Sequence, residues 1–138
     1  MDLLQQTDAI FFDKTGLDLA RTQKIVSDAL ASGDDGELFL EMRHSEMLMF
    51  DDGRLKTASY DQSSGFGLRA VAGDAHGYAH AGELSESALK RAVDSVSAVT
   101  KGYHGQAALA PAAGSNAQLY SGDNPLNHTS FETKINLL

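Results

Sequence analysis

The residues best suited to chemistry lie at positions 64–82, in the segment SGFGLRAVAGDAHGYAHAG. Glycines at 65, 67, 73, 77 and 82 are interspersed with apolar residues, one arginine and two histidines. Such a segment is compatible with a phosphate-binding loop, a metal site, or a sheet in which glycine permits close packing. Each alternative predicts a different kind of protein.

The first alternative is a nucleotide site. Gly65, Gly67 and Ala70 match the dinucleotide-binding pattern G-x-G-x-x-G/A. That motif follows an apolar strand and opens a helix directly afterwards. Here the polar run YDQSS precedes it, and Gly73 and Gly77 interrupt the residues that should form the helix. The context therefore argues against a nucleotide site.

The second alternative is a metal site at His76 and His80, which stand four residues apart. On a helix these imidazoles would share one face and one zinc ion, whereas on a strand they would lie about 13 Å apart. The neighbouring glycines favour a strand, and the H-E-x-x-H pattern is absent. We therefore interpret both histidines as residues of a strand face and predict no metal site.

Other candidate residues are also interpreted as structural. His44, His104 and His128 have no obvious carboxylate or nucleophile nearby in sequence, and the G-x-S-x-G motif is absent. The acidic pairs at 34–35 and 51–52 are typical of turns in which aspartate caps its own backbone. The methionines are predicted to fill the core: Met42, Met47 and Met49.

The third alternative, sheet architecture, is therefore favoured. Gly65 and Gly67 let a strand bend or let another backbone approach, and Gly73 with Asp74 suits a hairpin turn. Arg69 lies among apolar residues of a predicted strand, so we expect a buried guanidinium with a carboxylate partner from this chain or from an absent domain. The predicted structural motif is Gly65, Gly67, Arg69, Gly73, Gly77 and Tyr78.

These residues need elements to position them. Apolar spacing predicts an amphipathic helix over residues 17–32, with a capping box at Thr15 and Asp18 and a stop at Gly33. The preceding AIFF is expected to belong to another helix. Alternation predicts a strand at 38–43, a second apolar run follows at 45–50, and DDGR indicates a hairpin before a strand at 55–60.

A second helix is predicted after the glycine-rich segment. Ser85 would cap it, Glu86 would favour its positive end, and Gly102 would end it. Its buried stripe comprises Ala88, Leu89, Ala92, Val93, Val96 and Val99. The resulting fold class is α+β: a two-layer sandwich of a mainly antiparallel sheet with helices on one face, in the order helix, several strands, helix.

We expect residues 1–101 to form one domain and residues 102–138 to form a linker or arm. A helix is predicted to begin at Ser130 and to continue to Leu138 without a cap. We therefore interpret the chain as a fragment, in which this helix leads to an absent C-terminal domain.

Composition excludes several classes of protein. The chain has 138 residues, 42% hydrophobic and 22% charged, as expected for one globular domain. A net charge of −8 with scattered basic residues argues against direct nucleic-acid binding. No apolar run approaches the length of a membrane span, no signal peptide is evident and cysteine is absent. These features favour a cytoplasmic protein without membrane contact.

The pattern G-F-G-L-R-x-x-x-G-x-x-x-G-Y-A, at positions 65–79, resembles the N-terminal domain of the TldD/PmbA family. The flanking DGRLKTASYDQSSG and LSESALKRAV are similar to the same region. LYSGDNPL at 119–126 is similar too, although Asn124-Pro125 stands where family members often carry Asp-Pro. The resemblance covers roughly residues 17–138.

The resemblance implies a zinc metallopeptidase that acts on small or unfolded peptides, including microcin precursors and antitoxins. Its zinc motif, H-E-x-x-x-H with a further cysteine, lies in the C-terminal domain; TldD-type members carry it, PmbA-type partners lack it, and the two form a heterodimer. The present sequence contains neither that motif nor cysteine. No catalytic residue is therefore transferred to it, no cofactor is expected in this segment, and zinc is expected in the absent domain.

The resemblance thus implies a non-catalytic domain that walls the substrate channel, contacts the catalytic domain and supports a homodimer or heterodimer. Two other interpretations remain open. One is a freestanding module that binds a peptide at a sheet edge. The other is a regulator of DNA gyrase, the role for which the family was first named. The sequence does not distinguish a TldD type from a PmbA type.

Overall fold

A computed structural model describes residues 3–106, 109, 112, 119 and 122–138. The helices are α1 (Leu3–Asp8), which continues into a π-helical turn (Ala9–Asp13), α2 (Leu19–Leu30), α3 (Glu86–Thr100) and α4 (Phe131–Asn136). The strands are β1 (Asp35–Asp51), β2 (Arg54–Ala72) and β3 (Ala75–Ala81), and a 3₁₀ turn spans Pro125–Asn127. This is the α+β class that the sequence predicts.

The three strands form one sheet in the order β1-β2-β3, so β1 and β3 are its edges. Two residues separate β1 from β2, and both have positive φ: Asp52 at 50° and Gly53 at 66°. Gly73, with φ of 57°, begins the turn between β2 and the antiparallel β3. Both turns lie where the sequence indicates them, because Asp-Gly and Gly-Asp pairs tolerate the left-handed conformation.

The strands are longer than the sequence predicts. The apolar runs at 38–43 and 45–50 belong to one strand of 17 residues, and the strand predicted at 55–60 extends into the glycine-rich segment as a strand of 19 residues. Along β1 exposed and partly buried residues alternate without interruption. The alternation continues through His44 and Ser45, so the two runs share one register.

The chain divides into two compact units. The helical unit contains the described residues up to Glu41 and those from Ser64 through the segment after α3. The hairpin unit contains Met42–Ser63, residue 119 and residues 122–138. The buried hydrophobic cluster belongs entirely to the helical unit: Leu17, Leu30, Phe66, Leu68, Ala70, Leu84, Ala88, Leu89, Ala92 and Val96.

Local hydrogen bonds fix the helix starts. Asp18 is the N-cap of α2, since its carboxylate accepts a hydrogen bond from the Arg21 amide at 2.8 Å. The predicted capping box is therefore wrong: Thr15 instead accepts from the Leu17 amide and donates to the Phe11 carbonyl. Ser85 caps α3 as predicted, by accepting from the Ala88 amide at 3.2 Å.

The last helix begins as predicted. Ser130 is its N-cap, accepting a hydrogen bond from the Thr133 amide at 3.2 Å. The helix ends at Asn136 with Leu137 as its C-cap, and does not continue uncapped to Leu138.

Candidate functional site on the open face of the sheet

The sheet of the helical unit has one face covered by helices and one open face. Because side chains alternate along a strand, Phe66, Leu68 and Ala70 of β2 face the core. Arg69, between them, pairs in register with Tyr78 of β3, and both side chains lie on the opposite face. The open face is therefore where the chemically versatile residues of the motif meet.

Gly77 sets the distance between β3 and α3. A Cβ atom at this position would lie 2.9 Å from Val99 Cγ2 and 3.3 Å from the Val96 Cα. Gly65 is similarly restricted, because its Cβ would lie 2.7 Å from the Ala81 carbonyl oxygen. Both glycines thus occupy positions where a side chain would displace a neighbouring element.

Gly67 provides space for Tyr78 on the open face. A Cβ at Gly67 would lie 2.6 Å from the Tyr78 hydroxyl oxygen and 3.1 Å from ring carbons, so the tyrosine lies across the glycine backbone. Tyr78 remains 67% exposed, and its ring centroid is 5.8 Å from that of His80 in a stacked arrangement. The result is an accessible aromatic surface held in place by a glycine.

Arg69 finds its partners on β1. Its Nε donates to Glu37 Oε1 at 3.0 Å and its Nη2 donates to Asp35 Oδ2 at 2.9 Å. These contacts, with Glu37 the stronger influence, raise the pKa of Arg69 above its usual value. The side chain is 41% exposed, so the expectation of a buried guanidinium is wrong. Arg69 lies on the open face, and its carboxylate partners come from this chain.

A second polar cluster lies where β1 begins. Asp34 Oδ2 accepts hydrogen bonds from the Tyr103 hydroxyl at 2.7 Å and the Gly73 amide at 2.8 Å. The tyrosine, followed by the amide, lowers the pKa of Asp34, and the same carboxylate raises the pKa of Tyr103. Asp34 therefore joins three chain segments. The prediction that it caps its own turn is wrong, and its partner 69 residues away gives no local sequence signal.

The two histidines considered as metal ligands, His76 and His80, do not form a metal site with the other described residues. His76 and His80 lie on β3, paired in register with Val71 and Gly67, and no group of three or more His, Asp or Glu suited to a metal occurs in the described ranges. The described histidines and carboxylates therefore provide no ligand set for zinc. The family resemblance implies zinc in another domain. The absence of a cofactor from this segment stays a prediction.

Two further classes of site can be assessed from the described residues. Gly65, Gly67 and Ala70 lie inside β2, which continues to Ala72 and is followed by a strand, so they form no phosphate-binding loop. In the hairpin unit, His44 Nε2 is buried and has no hydrogen-bond partner among the described residues, and its ring lies 5.9 Å from that of Tyr60. Across the described ranges, no helix combines the length and apolar character needed to cross a bilayer.

Comparison with known proteins finds a family resemblance for this sheet and its glycines. Residues 36–100, which include β1 from Gly36 onwards, β2, β3 and α3, match the family model of PmbA/TldA metallopeptidase domain 1. These residues are similar to the first domain of the PmbA/TldD metallopeptidases, and the resemblance drawn from the glycine-arginine pattern is confirmed.

Two curated relatives show the same resemblance. The chain is 28% identical over 108 residues to a protein named Metalloprotease TldD homolog from Haemophilus influenzae, and 26% identical over 107 residues to a protein of the same name from Buchnera aphidicola. Each alignment covers 76% of this chain and 22% of the relative. The aligned part of this chain thus corresponds to about a fifth of the relatives' length.

Proposed function

We propose that this chain is the non-catalytic N-terminal domain of a TldD/PmbA-type zinc metallopeptidase that acts on small or unfolded peptides. The observation that carries the proposal is the match of residues 36–100 to the first domain of a metallopeptidase family. The proposed role is to wall the substrate channel, to contact the catalytic domain and to support a homodimer or heterodimer. Residues 1–101 form the domain in this proposal, and residues 102–138 lead towards the catalytic domain.

The open face of the helical unit supports a role in contact with another polypeptide. It presents Tyr78 and Phe39 at 67% and 60% exposure beside the ion pairs of Arg69 with Asp35 and Glu37. Aromatic residues are enriched in surfaces that bind protein partners, and the rims of such surfaces are polar. We propose that this face contributes to the channel wall or to a domain contact.

A chimera tests the proposal. The first domain of the Haemophilus relative is replaced by this chain, and hydrolysis of an unfolded peptide is measured with and without zinc. We expect zinc-dependent hydrolysis from the chimera and none from this chain alone. A matched chimera carrying Leu68→Asp, which places a charge in the core, should lose folding and activity together. A folded chimera without activity, or zinc-dependent hydrolysis by this chain alone, would contradict the proposal.

A freestanding peptide-binding module is the second candidate. It is favoured by the position of β3 at the edge of the sheet, where an extended peptide can add as a further strand. Binding of an unfolded peptide to the isolated chain, with broadened or shifted amide signals confined to residues 75–81, would support this candidate. The absence of such binding would contradict this candidate and favour the role as a domain of a metallopeptidase. Direct regulation of gyrase stays a prediction that no observation here favours.

A further inference from the structure

The hairpin unit contains a long-range contact that the proposed function does not use. Lys134 of α4 donates from Nζ to Glu46 Oε2 of β1 at 2.9 Å and to the Leu126 carbonyl at 2.8 Å. Lys134 and Glu46 are 88 residues apart in sequence, and each side chain is only 19% exposed. The lysine therefore connects the end of the chain to the hairpin with two acceptors in a partly desolvated position.

An aromatic contact lies next to this ion pair. Phe131, one turn before Lys134 on α4, lines a small cavity of about 150 Å³ on the hairpin. The other lining residues are Glu46, Leu48, Ala58, Ser59 and Tyr60. The hairpin thus offers a strip that is apolar along most of its length and acidic at Glu46, and α4 presents an aromatic ring and a cation to it.

Neither side of this contact has the features of an independently stable element. The α4 helix has six residues, and helices of that length are marginal in water because nucleation is costly. An isolated two-stranded hairpin is marginal as well. Among the described residues, no member of the buried hydrophobic cluster belongs to residues 42–63 or 122–138. Each side therefore depends on the other for its order.

We propose that residues 122–138, the C-terminal segment, close over residues 42–63, the distal hairpin, as one two-state contact governed by Lys134. Opening disorders both segments together and leaves the helical unit folded. It also exposes Glu46 and Leu48, which are partly buried in the closed state and line the cavity with Phe131. In this proposal, closure orders the hairpin and the C-terminal segment together.

Hydrogen exchange on the complete chain tests this proposal, with Lys134→Met and Phe131→Ala as the variants. Lys134→Met keeps the length of the side chain and removes its charge. We expect amide exchange in residues 122–138 and 42–63 to accelerate by the same factor, roughly ten- to hundredfold from the usual strength of a hydrogen bond to a charged group. Exchange in residues 64–100 should not change in either variant.

Lys90→Met is the matched control. Lys90 also pairs with a glutamate, Glu86 at 2.7 Å, but it lies on the exposed side of α3. This variant should leave exchange in both segments of the hairpin unit at the wild-type rate. Measurements at two protein concentrations must agree, since the contact lies within one chain.

Three results would overturn the proposal. Faster exchange of residues 122–138 with an unchanged distal hairpin would mean that the C-terminal segment does not hold the hairpin. Equal acceleration in residues 64–100 would mean that the chain opens as a whole. Wild-type rates in both Lys134→Met and Phe131→Ala would mean that the contact contributes no stability.

Discussion

At the scale of single residues, Gly77 is a position where a neighbouring helix leaves no room for a side chain. Gly77→Ala would place a methyl group 2.9 Å from Val99 Cγ2, and Val96 backbone atoms lie close behind it. Because α3 must move away from β3, we expect a loss of about 1–3 kcal/mol in unfolding free energy. Chemical denaturation measures the loss.

Gly82→Ala is the control for that variant. Its added Cβ would meet only the Ser64 carbonyl oxygen, at an ordinary contact distance of 3.8 Å, and Gly82 does not require positive φ. We expect a change near zero. Equal losses at the two positions would show that helix approach does not determine the requirement for glycine at Gly77.

The hydrogen bond between Asp34 and Tyr103 predicts a specific pH dependence. The folded state lowers the pKa of Asp34, so its stabilising contribution is present above the unfolded pKa and is lost as pH falls through the folded value. The folded state raises the pKa of Tyr103, so that contribution is present below the unfolded pKa and is lost as pH rises through the folded value.

Tyr103→Phe isolates this effect, because it removes the hydroxyl and keeps the ring. The variant should melt below the wild type at neutral pH, and the two melting curves should converge at strongly acidic and strongly alkaline pH. Thermal melts across the pH range provide the measurement. A difference in melting temperature that is constant with pH would assign the effect to packing of the ring.

The sequence predicts the structural roles of Gly77 and Asp34 to different degrees. The sequence includes Gly77 in the structural motif of a strand-like segment rich in glycine, although it predicts close backbone approach only at Gly65 and Gly67. Asp34 could not be paired with Tyr103, since a hydrogen bond across 69 residues depends on how β1, the β2–β3 turn and the end of α3 converge. Local pattern fixes conformation, whereas partner choice requires the tertiary structure.

At the scale of elements, Arg69 links β1 to β2 on the open face. Its carboxylate partners are more than half exposed, and exposed ion pairs contribute little because water already solvates both charges. We expect Arg69→Gln to lower the melting temperature less than Leu68→Ala, whose side chain is fully buried and whose loss costs about 2–5 kcal/mol. Thermal melts of both variants decide this, and the reverse order would contradict it.

Element type was predictable because the periodicity of apolar residues differs between helices and strands. The stripe of α3 and the alternation of β1 both follow directly from the sequence. The length of the strands was not predictable, because polar residues such as Asp61 and Gln62 continue β2 only while β1 lies beside them. Likewise, the burial of Arg69 was predicted wrongly because alternation alone does not say which face the helices cover.

At the scale of the whole molecule, the proposed function predicts the activities that this chain lacks. We expect no peptidase activity and no stoichiometric zinc, because the sequence has no H-E-x-x-x-H motif and no cysteine. Metal analysis after dialysis and a peptide-hydrolysis assay provide the measurements. One tightly held zinc ion per chain, lost on replacing His76 or His80, would contradict the prediction.

The hydrogen bond from Tyr103 to Asp34 also has a consequence for the order of folding. It closes a loop of 69 residues, and closing a long loop costs chain entropy before any contact compensates for it. The three strands and α3 lie inside that loop, so their assembly shortens the effective distance between its ends. Tyr103 should therefore dock after the sheet and α3 have formed, and Tyr103→Phe should accelerate unfolding while leaving the refolding rate nearly unchanged.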